Sequence, residues 1–194
     1  MKHKEVATCV SLYEDVFSAD SSALFLQRLE EEIKDEWSEL AWDNSGVGAG
    51  GRVTAYRTSL SCSLIPLMKP YPETELSKFF TENIRNPLEE VVEDYRAEHM
   101  LPNGFNEPYG VLKYFEQSEY HAHYDHFRDN SRVFSMVATL GQPISGGELE
   151  FPSLGITVEP KVGSVILFPS NFPYLHIAHP VSEGMKFSMV TWYS

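Results

Sequence analysis

The chain has 194 residues, 42% of them hydrophobic, enough to bury one sizeable core and too few for two, so a single domain over residues 1–194 is expected. A formal net charge of -13 repels phosphate backbones and argues against nucleic acid, leaving a protein, peptide or small molecule as partner. Only Cys9 and Cys62 are present, no apolar run approaches the roughly 20 residues that cross a bilayer, and MKHKEVATCV lacks the apolar segment of a signal peptide. A cytoplasmic chain with no membrane attachment is the expectation.

In chain order, the first predicted element is a helix over 22–37, capped by Ser22, with Leu26, Leu29, Ile33 and Trp37 on one face. Its Glu-rich opposite face reads as solvated. Gly46 to Gly51 reads as a flexible loop, followed by a strand near 54–65. Helices are expected over 74–84 and 88–98, the second opened by Asn86 as cap and Pro87 in the first turn. From Tyr109 onward the sequence changes to short β-branched and aromatic runs broken by Gly and Pro. Strands are predicted over 109–116, 132–140, 147–151, 155–159, 163–168, 174–178 and 186–193. The fold class that follows is mainly β with supporting helices within about 20–100, an α+β arrangement around a sandwich or jelly roll.

The segment His121-Ala-His123-Tyr-Asp125-His126 concentrates metal-binding side chains. In an extended chain alternate side chains point the same way, so His123 and Asp125 can grip one ion from a strand end. His176, in a later predicted strand that could pair back, is the candidate third ligand. Two imidazoles and one carboxylate on one face of an ion leave three positions open, which suits non-haem Fe(II) activating oxygen. Two other readings stand beside this one: surface histidines without a metal, and a dinuclear zinc site, since HAHYDH also resembles the HxHxDH string of the metallo-β-lactamase superfamily. That superfamily needs a bridging aspartate well downstream, and no Asp follows Asp129.

In KFSMVTWY, a period of two places Lys186, Ser188, Val190 and Trp192 on one face and Phe187, Met189, Thr191 and Tyr193 on the other. Both faces are largely apolar, so Lys186 is costly to bury unless an anion such as a cosubstrate carboxylate compensates it. The alternative is a lysine at the strand start that snorkels to water.

These residues resemble the 2-oxoglutarate oxygenases, and within them the prolyl 4-hydroxylase group, from about Arg57 to Trp192. The resemblance runs through EPYGVLKYFEQSEYHAHYD, RVFSMVATL, GGELEFP, GSVILFP and LHIAHPVSEGMKF. It implies a double-stranded β-helix, Fe(II) held by His123, Asp125 and His176, and 2-oxoglutarate and O2 as cosubstrates, with ascorbate as an optional reductant. It also implies that Lys186 and the Tyr114 hydroxyl hold the far carboxylate and that Trp192 lines the pocket. Arg57 and Ser59 look like the group's RxS segment, and Glu107, Tyr120 and Arg132 fall where similar enzymes contact a peptide. The implied activity is hydroxylation of prolyl residues in a protein or peptide; hydroxylation of a free amino acid or other small molecule by the same iron is the second reading, and a non-catalytic peptide-binding module the third. Segments 43–52 and 66–73 are read as lids. Leu149 departs from the group, which often carries a cosubstrate-binding threonine there, and His179 stands where a cysteine or threonine is more usual.

Overall fold

The computed structural model describes the chain apart from residues 48–51, 70–72, 128–130 and 160. It opens with strands β1 (Lys2–Ala7) and β2 (Val10–Glu14), helix α1 (Ala19–Ile33), and short strands β3 (Asp43–Asn44), β4 (Gly46–Val47) and β5 (Arg52–Val53). Strand β6 (Leu60–Ser63) leads to helices α2 (Ile65–Met68), α3 (Glu75–Phe80) and α4 (Asn86–Glu98). Strands β7 (Gly110–Tyr114), β8 (Tyr120–His123), β9 (Phe134–Gly141), β10 (Ser145–Gly146) and β11 (Leu149–Phe151) follow. The chain ends with β12 (Ile156–Val158), β13 (Val165–Pro169), β14 (His176–Ala178), β15 (Val181–Glu183) and β16 (Lys186–Tyr193).

The strands form a major sheet in the order β1-β2-β13-β9-β16-β7-β6-β3 and a minor sheet in the order β12-β11-β14-β8. This is the predicted jelly roll, a double-stranded β-helix with helices against one face of the major sheet. The alternation along β9 explains the layering: Phe134, Met136, Ala138 and Leu140 join the core shared with Phe25 and Leu29 of α1, Phe80 of α3, and Leu88 and Val91 of α4. Full burial of a ring such as Phe80 stabilises by about 1.5–3 kcal/mol. Between the sheets, Leu112, Tyr114, Ala178 and Val190 form a second cluster, and Val10, Leu149, Phe151, Ile166 and Phe168 a third.

Two expectations are corrected and one element is added. Helix α1 starts earlier than predicted because Ser18, not Ser22, caps it, its hydroxyl accepting from the Ser21 N–H at 3.0 Å. Ser22 is instead buried and donates to the Leu140 carbonyl at 2.6 Å, tying α1 to β9, while Trp37 lies past the helix end and is 85% exposed. Asn86 does not cap a new helix either. A π turn over Thr81–Arg85 joins α3 to α4, and the Asn86 N–H donates to Thr81. Pro87 lacks an N–H and would crowd the carbonyl four residues back in a regular helix; the wider turn just before it lets the helix continue. Finally, the β1–β2 hairpin was not predicted. Its edge strand β1 is exposed along most of its length and carries no apolar alternation to betray it.

Candidate active site

The site is built where the minor sheet pairs its edge strand β8 with β14. Strand β14 runs antiparallel to β8 with His176 directly opposite His123, and Asp125 follows on the chain just past β8. The ligand atoms of His123, Asp125 and His176 all lie within 4.8 Å of one another. The His123 Nε2 is 3.6 Å from Asp125 Oδ1, and the His176 Nε2 is 3.6 Å from Asp125 Oδ2.

Both rings are oriented through their other nitrogen. The Nδ1 of His123 is 2.7 Å from the His121 carbonyl, and that of His176 is 3.1 Å from the Tyr174 carbonyl. A carbonyl can only accept, so each Nδ1 is the donor in these contacts and each Nε2 is left facing the cluster. Asp125 accepts from the Ser135 hydroxyl at 2.7 Å, and Ser135 is in turn 2.9 Å from Ser170. The edge of Phe168 packs on His176, with ring centroids 4.8 Å apart.

Burial would raise Asp125, but His176, His123 and the Ser135 hydroxyl more than offset it and hold the carboxyl well below its usual range. Burial pushes His176 down to about 4 against the pull of Asp125, so its imidazole is neutral and able to bind metal at pH 7. A buried carboxylate between two imidazoles is a donor set that fits a divalent transition metal. The side chains of His121 and His126 stay outside the cluster: His121 pairs with Glu119 at 3.1 Å, and the His126 Nδ1 meets the Arg132 carbonyl at 3.0 Å. His179 likewise pairs with Glu150, at 2.6 Å.

An apolar cavity runs inward from the triad between the two sheets, lined on its major-sheet side by Tyr114, Lys186, Ser188 and Trp192 and on its minor-sheet side by Leu149. Lys186 lies opposite Tyr114 across β16 and β7, with its Nζ 5.2 Å from the centre of that ring. It is only 4% exposed, so it does not snorkel to water. Its Nζ donates to the Gly147 carbonyl at 2.6 Å. Burial pushes Lys186 down to about 8, partly resisted by Glu148. Gly147 has φ +76°, and a Cβ there would come within 3.1 Å of the Lys186 stem, so the close approach requires glycine. Burial raises Tyr114, with Arg57 and a hydrogen bond to Ser59 acting the other way; its phenol is a protonated donor at pH 7. The cavity thus has metal ligands at one end and a buried cation with a phenol beside it elsewhere on its wall, a fit for a dicarboxylate that chelates through one end.

A second, more open groove passes over His123 and Asp125 and is lined by Arg57, Tyr120, Arg132 and Trp192. The Arg57 guanidinium sits 4.8 Å above the Tyr120 ring and donates to Gly46 at 2.9 Å. Arg132 stacks on Trp192 at 3.7 Å, reaches the Asp125 carbonyl at 3.2 Å, and holds Glu107 through two N–H groups, one at 2.6 Å. Glu107 and Arg132 are therefore each other's partners, and the pair braces the loop that carries Asp125. Ser59 lies apart from the groove: it is buried, 2.9 Å from Ser45 and bonded to Tyr114, which sets it with the cavity residues. The segments read as lids fall partly outside the described residues, as does the predicted Gly46–Gly51 loop; their described parts include β3, β4 and α2.

Sequence reasoning missed Ser135, Ser170 and Ser188. Ser135 and Ser188 could have been found as polar residues at inward positions of otherwise apolar strands. Ser170 has no such signal.

Residues 109–194 match the family model described as the 2OG-Fe(II) oxygenase superfamily. Among curated proteins, the chain is 28% identical over 150 residues to prolyl 4-hydroxylase 2 of Arabidopsis thaliana, covering 58% of this chain and 50% of that one. It is 28% identical over 122 residues to probable prolyl 4-hydroxylase 9 of the same plant, covering 48% and 42%. The chain spans about half the length of these relatives, or less. Among solved structures, it is similar to a viral collagen prolyl hydroxylase from Paramecium Bursaria Chlorella virus-1 in a 2OG complex, with TM-score 0.68, 19% identity and coverage of 97% and 98%. It is also similar to a Pseudomonas putida prolyl-4-hydroxylase, with TM-score 0.70, 17% identity and coverage of 95% and 91%. A third similar structure is a Trichoplax adhaerens prolyl hydroxylase in complex with a peptide fragment of hypoxia inducible factor, with TM-score 0.70, 16% identity and coverage of 95% and 83%. The chain is thus similar to the 2OG-Fe(II) oxygenase superfamily over residues 109–194 and, in sequence and in fold, to prolyl 4-hydroxylases.

Proposed function

We propose that the protein is an Fe(II)- and 2-oxoglutarate-dependent dioxygenase that hydroxylates prolyl residues of a protein or peptide. The observation that carries this reading is the joining, in one cavity, of a two-histidine, one-aspartate cluster with a buried lysine. The similarity to prolyl 4-hydroxylases, one of them holding a peptide, supports the substrate class.

His123, Asp125 and His176 would hold the iron. With 2-oxoglutarate and O2 it would supply the oxidising chemistry, turning a C–H of the substrate into C–OH as the cosubstrate becomes succinate and CO2. The chain's own residues bind and orient. Lys186 and Tyr114 hold the far carboxylate by charge and hydrogen bond, and the apolar walls at Leu149, Ile166 and Val190 keep water from the cavity. Arg57, Tyr120 and Trp192 line the groove that would receive an extended peptide over the metal.

The test is incubation with Fe(II), 2-oxoglutarate and a proline-rich peptide, followed by mass spectrometry and succinate measurement. One added oxygen on proline, matched by succinate, is expected. Succinate formation with free proline but with no proline peptide would move the substrate to the small-molecule class.

A further inference from the structure

Walled in part by the segment that follows Asp125, a second cavity of about 440 Å³ opens beside the end of α4, a size that suits a small molecule. It is separate from the inner cavity: His123, Asp125, His176, Tyr114 and Lys186 do not line it. Its floor is apolar. The buried rings of Tyr95 and Phe134 stand 5.2 Å apart with His99 4.4 Å from Tyr95, and Leu101 and Pro169 extend that surface. His126, Ser131 and Asn171 also line it and are exposed, so hydrogen-bonding side chains stand at the mouth and the rings below them. The chain has 28 Asp and Glu against 15 Lys and Arg, yet among the described residues no carboxylate lines this cavity. Arg132 does line it, and the Glu107 that pairs with Arg132 does not. The Nε2 of His99 is buried with no hydrogen-bond partner among the described residues, and the Glu98 carboxylate 3.8 Å from it is shared with His3 at 3.4 Å. The Tyr95 hydroxyl donates to the Cys9 carbonyl at 2.9 Å and is not an available donor. An apolar floor, a guanidinium, two imidazoles and two neutral donors with no acid on the wall fit a ligand that has an apolar body and one anionic end.

We propose that this cavity binds an organic anion, a carboxylate carried on an aromatic or alicyclic body. The rings of Tyr95, Phe134 and His99 take the body. His126, Ser131 and Asn171 hold the carboxylate at the mouth, where it keeps part of its water. The site stands whether or not the protein is an oxygenase, since it shares no lining residue with the inner cavity.

Calorimetry on the metal-free protein compares three probes: 1-naphthaleneacetate, 2-(1-naphthyl)ethanol, which keeps the ring body and replaces the carboxylate with an alcohol, and acetate, which lacks the body. Naphthaleneacetate is expected to bind about tenfold or more tightly than the alcohol, and acetate not measurably. Asn171→Asp sets a carboxylate at the exposed mouth and should weaken naphthaleneacetate about tenfold while leaving the alcohol unchanged. Val133→Trp, at a part-exposed position on the wall, should fill the cavity and weaken both naphthyl probes about tenfold or more. Lys186→Met takes the cation out of the inner cavity and should bind naphthaleneacetate as wild type does. Absence of naphthaleneacetate binding by wild type overturns the inference. Equal affinity for acid and alcohol overturns the anionic class, and so does unchanged binding of the acid by Asn171→Asp. Undiminished binding in Val133→Trp, or its loss in Lys186→Met, would put the ligand in another cavity and overturn the site.

Discussion

Lys186 gives the sharpest test because its cost and its purpose can be read separately. Burial lowers its pKa from the usual 10.5 to about 8. At about 1.36 kcal/mol per tenfold change in proton affinity, that drop amounts to roughly 3 kcal/mol against the charged form in the ligand-free protein. Below pH 8 both folded and unfolded chains carry the proton, so the full cost is present. Between about 8 and 10.5 the folded chain is neutral at this site while the unfolded one still binds the proton, so stability rises with pH through that window. Lys186→Met keeps much of the stem and removes the charge. At pH 7 the ligand-free variant should therefore be more stable than wild type, by up to about 3 kcal/mol, and the gap should close as pH approaches 10. The same variant should lose cosubstrate. Stranding a carboxylate opposite no cation costs about 3–5 kcal/mol, a hundredfold or more in affinity.

Chemical denaturation of the metal-free proteins from pH 7 to 10, with 2-oxoglutarate titrations of the Mn(II)-loaded forms, reads both effects. Undiminished 2-oxoglutarate binding would refute the assignment of Lys186 to the carboxylate. A stability difference that is flat with pH, or of the opposite sign at pH 7, would refute the claim that its charge is held at a cost.

Ser135→Ala removes the hydroxyl that fixes Asp125 Oδ2 and should weaken Mn(II) binding about 10- to 100-fold by spin resonance, while His121→Ala should leave it unchanged. Arg132→Ala should reduce peptide hydroxylation and also lower metal affinity several-fold, because Arg132 reaches the Asp125 carbonyl as well as the groove. Wild-type metal affinity in that variant would show that the Asp125 loop holds without it.

The elements whose cause is a repeating pattern were legible in the sequence. Alternation in KFSMVTWY assigned both faces of β16 correctly, and the triad emerged from His123 and Asp125 two residues apart with His176 on a later strand. What was not legible depends on partners far along the chain. Ser22 looks like a cap until Leu140 is seen to accept from it. Glu107 and Arg132 look like two independent peptide contacts until their ion pair joins positions 25 residues apart. Ser59 looks like part of the groove, yet it sits beside Ser45 and Tyr114, a placement set by the pairing of β6 with β7 and by the Ser45 segment folding back on it.

The choice between His121 and His123 turns on one local irregularity. Simple alternation puts His121, His123 and Asp125 on one face and Tyr120 on the other, which is why HAHYDH reads equally as a zinc string. In the structure, His176 faces His123 and Ala178 faces Tyr120, so β14 advances two residues while β8 advances three. The extra residue on β8 is a bulge, and a bulge re-aims the side chains that flank it. Tyr120 and His123 thereby turn to the same side, their rings stacked with centroids 3.5 Å apart, and Arg57 covers Tyr120 in turn. His121 is sent outward to Glu119, leaving its carbonyl in place to accept from His123 Nδ1. One inserted residue thus keeps His121 out of the cluster, orients His123 through the backbone of the residue it displaced, and brings a groove tyrosine against the candidate metal site.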